Sequence, residues 1–244
     1  MGAQDALTRR KQMSKFLYKL TDEFGNTRNK THWSEGVKHE IVKELRDNTR
    51  HLCSPHYLHA YENPLVAVFM NPVHARYFRP ILWQATGWVQ EREGQLKCGC
   101  FSLRVVRRVQ LPEITLNQRV RAAIYCALTR PQADNFKHWA NEWLSGRNRT
   151  QAAAADAAIA TYVFAAADAA VATYVYAAAN AANAAVATYV YAANAANAYA
   201  AESAAESAAA AYAYAANAAA PFNLIKILER AIKEEAIIDR QMAS

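Results

Sequence analysis

The chain has 244 residues and carries 28 Lys and Arg against 21 Asp and Glu, a net charge of +7. No stretch of about 20 residues is apolar enough to cross a bilayer, the start MGAQDALTRRKQMSK lacks the apolar centre of a signal peptide, and four cysteines do not make a disulfide framework in a chain of this size. These features exclude a secreted or membrane-spanning protein and predict a soluble cytoplasmic one.

The charge is unevenly distributed. Residues 1–150 hold 24 of the Lys and Arg and 13 acidic residues, a local net charge of +11. The next 70 residues contain no Lys or Arg, and the last 24 are balanced. We therefore predict an α+β N-terminal domain followed by an all-α Ala/Tyr-rich helical repeat. The expected boundaries are a basic α+β domain at 1–149, the repeat at 150–220 and an amphipathic capping helix at 221–244.

Three patterns describe the start of the first domain. KFLYKL (15–20) alternates before the turn-forming DEFGN, which predicts a strand and a hairpin. The apolar residues of VKHEIVKELRDNTR (37–50) have helical spacing and predict a short amphipathic helix. The β-branched run LKCGCFSLRVVRRVQLP (96–112) predicts a long strand.

Two helices should complete this domain. Thr115 and Gln118 form a capping-box pattern, in which both side chains bond free backbone amides at a helix start. That helix should end before Pro131, and a second should begin at Asp134 or Asn135 and stop at Gly146.

Two tryptophans lie one turn apart on the second of these helices. Trp139 and Trp143 share a face with Phe136. Such a stripe can bind a partner, although it more often forms core or an interdomain seam. We retain Trp139 and Trp143 as candidate binding residues.

The Ala-rich segment is a repeat. Of residues 151–220, 40 are Ala, and IATYVF at 159 is followed by VATYVY at 171 and at 186. Ala favours helix, but one straight helix would scatter the tyrosines around its axis. Short helices broken at Asn clusters are therefore predicted, with an extended β-array as the alternative. The expected role is a scaffold or a surface for homo-oligomerisation.

Five residues have side chains that zinc accepts, namely Cys53, His56, His59, Cys98 and Cys100. Zinc sites prefer two cysteines separated by two to four residues. Cys98 and Cys100 would instead lie about 6.6 Å apart on one face of a strand. The sequence therefore predicts no metal, and it indicates no cofactor.

SPHYLHAYENP (54–64) is the densest polar and aromatic stretch. His59, Tyr61 and Glu62 are residue types that acid-base chemistry or an ADP-ribosyltransferase-like nicotinamide site could use. Adjacent strand residues point to opposite sides, so Tyr61 and Glu62 would not share a substrate. No His or Arg lies on the first predicted strand, where such enzymes usually hold one. We therefore assign no catalytic residue and keep these three as the alternative.

RVVRRVQ (104–110) makes the long strand basic. Regular alternation would put Arg104 and Arg108 on one face with Val106, and Arg107 on the other. Arginines near aromatic side chains can bind nucleic-acid phosphates, attract an acidic protein or protect an exposed edge. We expect an acidic protein partner, with nucleic acid as the alternative.

Several motifs occur in a specific order: Cys53 and HAYENP at 59–64, NPVHA at 71–75, LW-x-A-x-G at 82–87, LKCGC at 96–100, T-x-x-QRV at 115–120, and W-A-x-x-WLSG-x-x-R at 139–149. With the Ala-rich array, they resemble a family of lambdoid phage and enterobacterial prophage proteins. The resemblance implies a phage or prophage origin and a protein that manipulates or protects the host cell. The leading interpretation is an interaction protein that binds and modulates or inhibits a host factor, such as a defence component, through the factor's acidic surface.

Overall fold

The computed structural model describes residues 16–46, 51–129, 132, 134–150, 152–154, 156–157 and 223–242. These residues contain five strands, four long α-helices and a 3-10 helix at Lys43–Leu45. The strands are β1 (Leu17–Thr21), β2 (Lys38–Glu40), β3 (Leu58–Ala60), β4 (Ile81–Glu93) and β5 (Lys97–Val109). The helices are α1 (Pro64–His74), α2 (Leu116–Leu128), α3 (Asp134–Leu144) and α4 (Leu224–Met242).

The predicted fold class is wrong. The chain is α+β, with one five-stranded antiparallel sheet, and the described residues contain no all-α repeat array. The longest described helix, α4, packs against α2. Most of the predicted repeat, residues 158–220, lies outside the described residues. None of the described helices is both long and apolar enough to cross a membrane.

The chain forms two compact units. The first comprises residues 1–71 and 75–112, and the second comprises residues 72–74 and 113–244. All strands belong to the first unit, and α2, α3 and α4 belong to the second. The predicted division at residues 149 and 220 remains a prediction.

The sheet of the first unit closes on itself. β1 pairs with β4, β4 with β5, and β2 and β3 share the other edge of β5. Tyr18 in β1 and Tyr61, just after β3, exchange two backbone hydrogen bonds of 2.8 Å. Because this bridge joins the two ends of the sheet, the strands form a small barrel with an inner and an outer face.

The two long strands bend through irregular pairings. The register of β4 on β5 shifts at three places, and bulges of this kind allow long strands to curve around a small barrel. At the first shift Ala85 faces Val105 and Gln84 faces Arg107, so Val106 has no partner opposite. Because Val106 is an extra residue, Arg107 and Arg108 lie on the faces opposite to those that regular alternation predicts.

The helix predicted over 37–50 is wrong in the described part of that range. Lys38–Glu40 is instead β2, which pairs with Ser102–Arg104, and Lys43–Leu45 is a single 3-10 turn. Residues 47–50 lie outside the described residues. Pairing with the free edge of β5 therefore outweighs a helical pattern of four apolar residues. The strands predicted at the start of the domain and over 96–112 are confirmed as β1 and β5.

The inside of the barrel is mostly apolar. Trp33 and Trp83 are its largest buried side chains. Lys19 and Thr21 are buried polar residues on the inner face of β1 beside Leu17, and the Thr21 hydroxyl accepts from the Trp83 indole N–H at 2.9 Å. The remaining buried members of this core are Ala60, Ala85, Cys98, Cys100, Leu103 and Val105.

In the second unit α2 begins with the predicted capping box. The Thr115 hydroxyl accepts from the Gln118 amide at 3.2 Å, and the Gln118 side chain accepts from the Thr115 amide at 2.9 Å. The predicted helix from Asp134 is confirmed as α3, which is followed by Gly146 at a positive φ of 78°. Pro221, expected in the first turn of the last helix, lies outside the described residues.

The three helices are joined by a buried ion-pair cluster. Glu235 of α4 is fully buried and accepts from Arg121 of α2 at 2.7 Å and from Arg149 at 2.6 and 3.0 Å. The Arg121 guanidinium also donates to the Leu144 carbonyl at 2.7 Å. The three charged groups therefore hold α4 on α2 and on the segment that follows α3.

Candidate functional site

The HAYENP box is the junction between a strand and a helix. Asn63 is the N-cap of α1, and its side-chain oxygen accepts from the amides of Leu65 at 2.8 Å and Val66 at 3.3 Å. Pro64 occupies the first turn, where its missing N–H costs nothing. The last two residues of the box thus have a structural function.

The three alternative catalytic residues of the box do not converge. The His59 ring contacts the Leu52 carbonyl, and burial lowers its pKa. The Tyr61 phenol is buried, and burial raises its pKa. Glu62 binds Arg92 in an exposed ion pair with distances of 3.0 and 3.3 Å. Each side chain therefore has its own structural partner or environment.

The zinc-type residues are divided between the two faces of the barrel. Cys98 and Cys100 are buried on the inner face, where a hydrogen bond to Cys100 and burial raise the pKa of Cys98. Cys53 is exposed and lies 2.7 Å from the Lys97 ammonium, and the His56 ring contacts the Leu45 carbonyl at 2.6 Å. Within the described ranges, no three His, Cys, Asp or Glu side chains are grouped as metal ligands would be.

The barrel interior holds a buried lysine. Lys19 is 9% exposed, donates to the His59 carbonyl at 2.7 Å, and lies 5.0 Å from the centre of the Trp33 ring. Burial lowers its pKa to about 8, although Cys100 and Cys98 act in the opposite direction. The apolar surroundings of Lys19 therefore disfavour its charged form.

The predicted faces of the arginine run are wrong because of the bulge at Val106. Arg104 faces Thr86 and Arg107 faces Gln84, so both side chains lie on the outer face. Arg108 faces Trp83, so it follows the register of the inner face and emerges at the end of the barrel. Compared with the prediction, the face that carries Arg104 also carries Arg107 and lacks Arg108.

The outer surface around Arg104 combines cations with an exposed tryptophan. Lys38 faces Arg104 across the β2–β5 pairing, and Trp88 lies two residues from Thr86 along β4, 42% exposed. We call Lys38, Trp88, Arg104 and Arg107 the basic sheet face.

The charges of the basic sheet face are incompletely paired. Lys38 forms an ion pair with Glu40, and Arg107 donates to the Gln84 side chain at 2.8 Å. In the part of the chain that the structure describes, no carboxylate pairs with Arg104 or Arg107. Arg104 reaches the Gly36 carbonyl at 3.5 Å. Two guanidinium groups therefore remain available to an acidic partner.

A second exposed region lies at the end of the barrel. A groove of about 510 Å³ is lined by Glu23, Phe78, Arg79, Pro80, Ile81, Arg108 and Leu111, which we call the barrel-end groove. Phe78 is 84% exposed, and the Arg79 guanidinium lies 5.6 Å from its ring centre. Of the residues that line this groove, Arg108 is the one that the sequence predicts as a binding residue.

The two candidate tryptophans of the second unit are buried. Trp139 and Trp143 are 5% and 1% exposed, and the Arg149 guanidinium lies 4.2 Å from the centre of the Trp143 ring. Their main contribution is therefore to the packing of the helices. The indole N–H of Trp139 has no hydrogen-bond partner among the described residues.

Comparisons of the chain with protein-family models, with curated proteins and with solved structures give no match.

Proposed function

We propose that the chain is a phage- or prophage-encoded interaction protein that binds an acidic surface of a host protein and modulates or inhibits that protein. The proposal places it in the cytoplasm of the bacterial host, where the partner would be a component such as a defence factor. The observation that carries the proposal is the basic sheet face, where Lys38, Arg104 and Arg107 lie on the same face of the sheet as the exposed Trp88.

These residue types suit a protein interface. Arg and Trp are the side chains that most often dominate binding energy, because each combines a large contact area with a polar group. They project here from paired strands, so little conformational entropy is lost on binding. A net charge of +11 over residues 1–150 also accelerates encounter with an acidic surface.

The structure gives less support to the enzyme alternative. His59 is engaged with a backbone carbonyl, Tyr61 is buried and Glu62 is paired with Arg92. An acid-base mechanism needs at least two such groups within reach of one substrate. The contacts of these residues instead support the strand, the loop before it and the start of α1.

The test is a pulldown with the tagged full-length chain from nuclease-treated bacterial lysate. A partner is identified by mass spectrometry, purified and tested for direct binding at low and high salt. The decisive variant is Arg104→Glu with Arg107→Glu. The control is Lys226→Glu with Lys233→Glu, which changes the net charge equally at two exposed positions of α4.

We expect a stoichiometric protein that binds the wild type and the control, releases at high salt, and loses affinity for the Arg104→Glu/Arg107→Glu variant. The proposal is wrong if the purified partner binds that variant as tightly as the wild type. It is also wrong if no captured protein rebinds once nucleic acid has been removed.

A further inference from the structure

The barrel-end groove has a feature that the basic sheet face lacks, namely an aromatic ring presented to solvent beside a concave surface. Phe78 is 84% exposed, and Phe24, on the neighbouring turn, is 72% exposed. Side chains with this exposure bury little apolar surface in the first unit. The Phe78 ring, which lines the groove, is therefore accessible to a bound molecule.

The loops that carry these rings are held in place. The Asp22 carboxylate accepts from the amides of Phe24 at 2.9 Å and Asn26 at 2.7 Å, which fixes the first turn. The Tyr77 carbonyl accepts from the Asn71 side chain at 2.9 Å, which fixes the segment before Phe78. Phe78 is therefore presented by an anchored backbone, and binding need not order it.

The groove itself is apolar with charge at its sides. Pro80, Ile81 and Leu111 form its apolar lining, and Arg79 and Arg108 supply two guanidinium groups. Glu23 is the single carboxylate in the lining, and it lies 3.7 Å from Arg79 in a loose, exposed ion pair. Within the described residues no carboxylate pairs with Arg108, so the groove keeps an excess of positive charge.

This combination matches one class of ligand. A nucleic-acid base has a flat π face that stacks on an exposed aromatic ring, and its phosphate pairs with arginine. Arg79 already lies over one region of the Phe78 ring at 5.6 Å, in the arrangement of a cation–π contact that would border a stacked base. An acidic peptide would use the arginines but would leave the ring exposed.

We propose that the barrel-end groove binds a single-stranded polynucleotide, with a base stacked on Phe78 and adjacent phosphates on Arg79 and Arg108. Duplex nucleic acid fits poorly, because its bases are already stacked within the helix. The site is independent of the proposed protein interface, since Arg108 follows the inner-face register while Arg104 and Arg107 lie on the outer face.

The test is fluorescence anisotropy of the purified full-length chain with labelled oligothymidylate and oligouridylate of about 12 nucleotides, within the range that small single-strand-binding folds cover. A hairpin duplex and a polyglutamate peptide serve as competitors. Phe78→Ala should weaken binding about 5- to 150-fold, the range expected for the loss of one base-stacking contact. Phe78→Trp should restore it. Because the ring is exposed, neither variant should shift the unfolding midpoint.

The arginines are tested through salt dependence. Arg79→Gln with Arg108→Gln should reduce the slope of log affinity against log salt by about 1.4, the value for two single-strand phosphate contacts. Lys226→Gln with Lys233→Gln removes the same charge from α4 and should leave the slope unchanged. The proposal is wrong if neither oligonucleotide binds at physiological salt, if Phe78→Ala binds as the wild type does, or if duplex or polyglutamate competes equally well.

Comparison of the affinities for the two oligonucleotides also identifies which nucleic acid the groove prefers. Tighter binding of oligothymidylate supports single-stranded DNA, and tighter binding of oligouridylate supports RNA. Loss of oligonucleotide binding in Phe78→Ala while the protein partner is retained would separate this inference from the proposed function.

Discussion

Replacement of Lys19 by Met tests the description of the barrel interior. Burial lowers the pKa of Lys19 from 10.5 to about 8. One pKa unit corresponds to about 1.4 kcal/mol, so the protonated ammonium costs the folded state about 3 kcal/mol below pH 8. Met keeps the length of the side chain and removes the charge. The substitution should therefore raise the free energy of unfolding at neutral pH. It also removes the hydrogen bond to the His59 carbonyl, which offsets about 1 kcal/mol of that increase.

The sign of the pH dependence follows from proton binding. Between pH 8 and 10.5 the unfolded chain still holds the Lys19 proton and the folded chain has released it, so Lys19 makes the free energy of unfolding rise with pH. Cys98 and Tyr61 act in the opposite sense at higher pH, because their pKa values are raised in the folded state. Both proteins contain these two groups, so the difference between wild type and Lys19→Met reports the lysine together with its electrostatic coupling to Cys98 and Cys100.

The assay is urea unfolding of both proteins under reducing conditions from pH 7 to 10.5. We expect the stability of the wild type relative to Lys19→Met to increase by about 3 kcal/mol across that range. Parallel curves would refute the reasoning, since they would mean that the Lys19 ammonium is hydrated in the folded protein.

Two further substitutions and the replacement of one segment test the packing. Gly99→Ala would place a Cβ 2.8 Å from the Tyr57 ring and should lower the free energy of unfolding by about 1–3 kcal/mol in urea titrations. Glu235→Gln should lower the free energy of unfolding by about 3–5 kcal/mol because the buried Arg121 and the partly buried Arg149 lose their shared counter-charge. Glu229→Gln, exposed on the same helix, should change stability by less than about 0.5 kcal/mol. Replacement of residues 158–222 by a flexible linker should leave the unfolding of the second unit cooperative, as followed by circular dichroism. Loss of cooperative unfolding would contradict the stabilising role of the ion-pair cluster.

Elements with strong local signals could be predicted from the sequence. The β-branched run of β5 and the capping box of α2 each depend on neighbouring residues, and both occur as predicted. The helix expected over 37–50 had an equally regular pattern. It failed because a distant edge of β5 was available to β2, and such pairing is invisible in a local window.

The candidate sites were predicted less well, for two physical reasons. A single unpaired residue, Val106, exchanges the faces of Arg107 and Arg108, and nothing in the alternation of RVVRRV marks it. The exposure of Phe78 and Trp88 depends on what the rest of the fold leaves uncovered, whereas Trp139 and Trp143, which looked similar in sequence, became core. The Phe-Arg-Pro sequence at 78–80, in the short loop between α1 and β4, was the available signal for the groove.

The ion-pair cluster of the second unit explains how so unusual a composition can lie within a folded chain. Arg149 precedes the Ala-rich segment and Glu235 follows it, yet the two side chains bind each other at 2.6 Å and share Arg121 as a third member. These contacts join residues 86 positions apart in the sequence. The packing of α4 on α2 therefore depends on charged side chains that lie on either side of the Ala-rich segment in the sequence, and the loss of the Glu235 charge should weaken that packing even though the segment itself is unchanged.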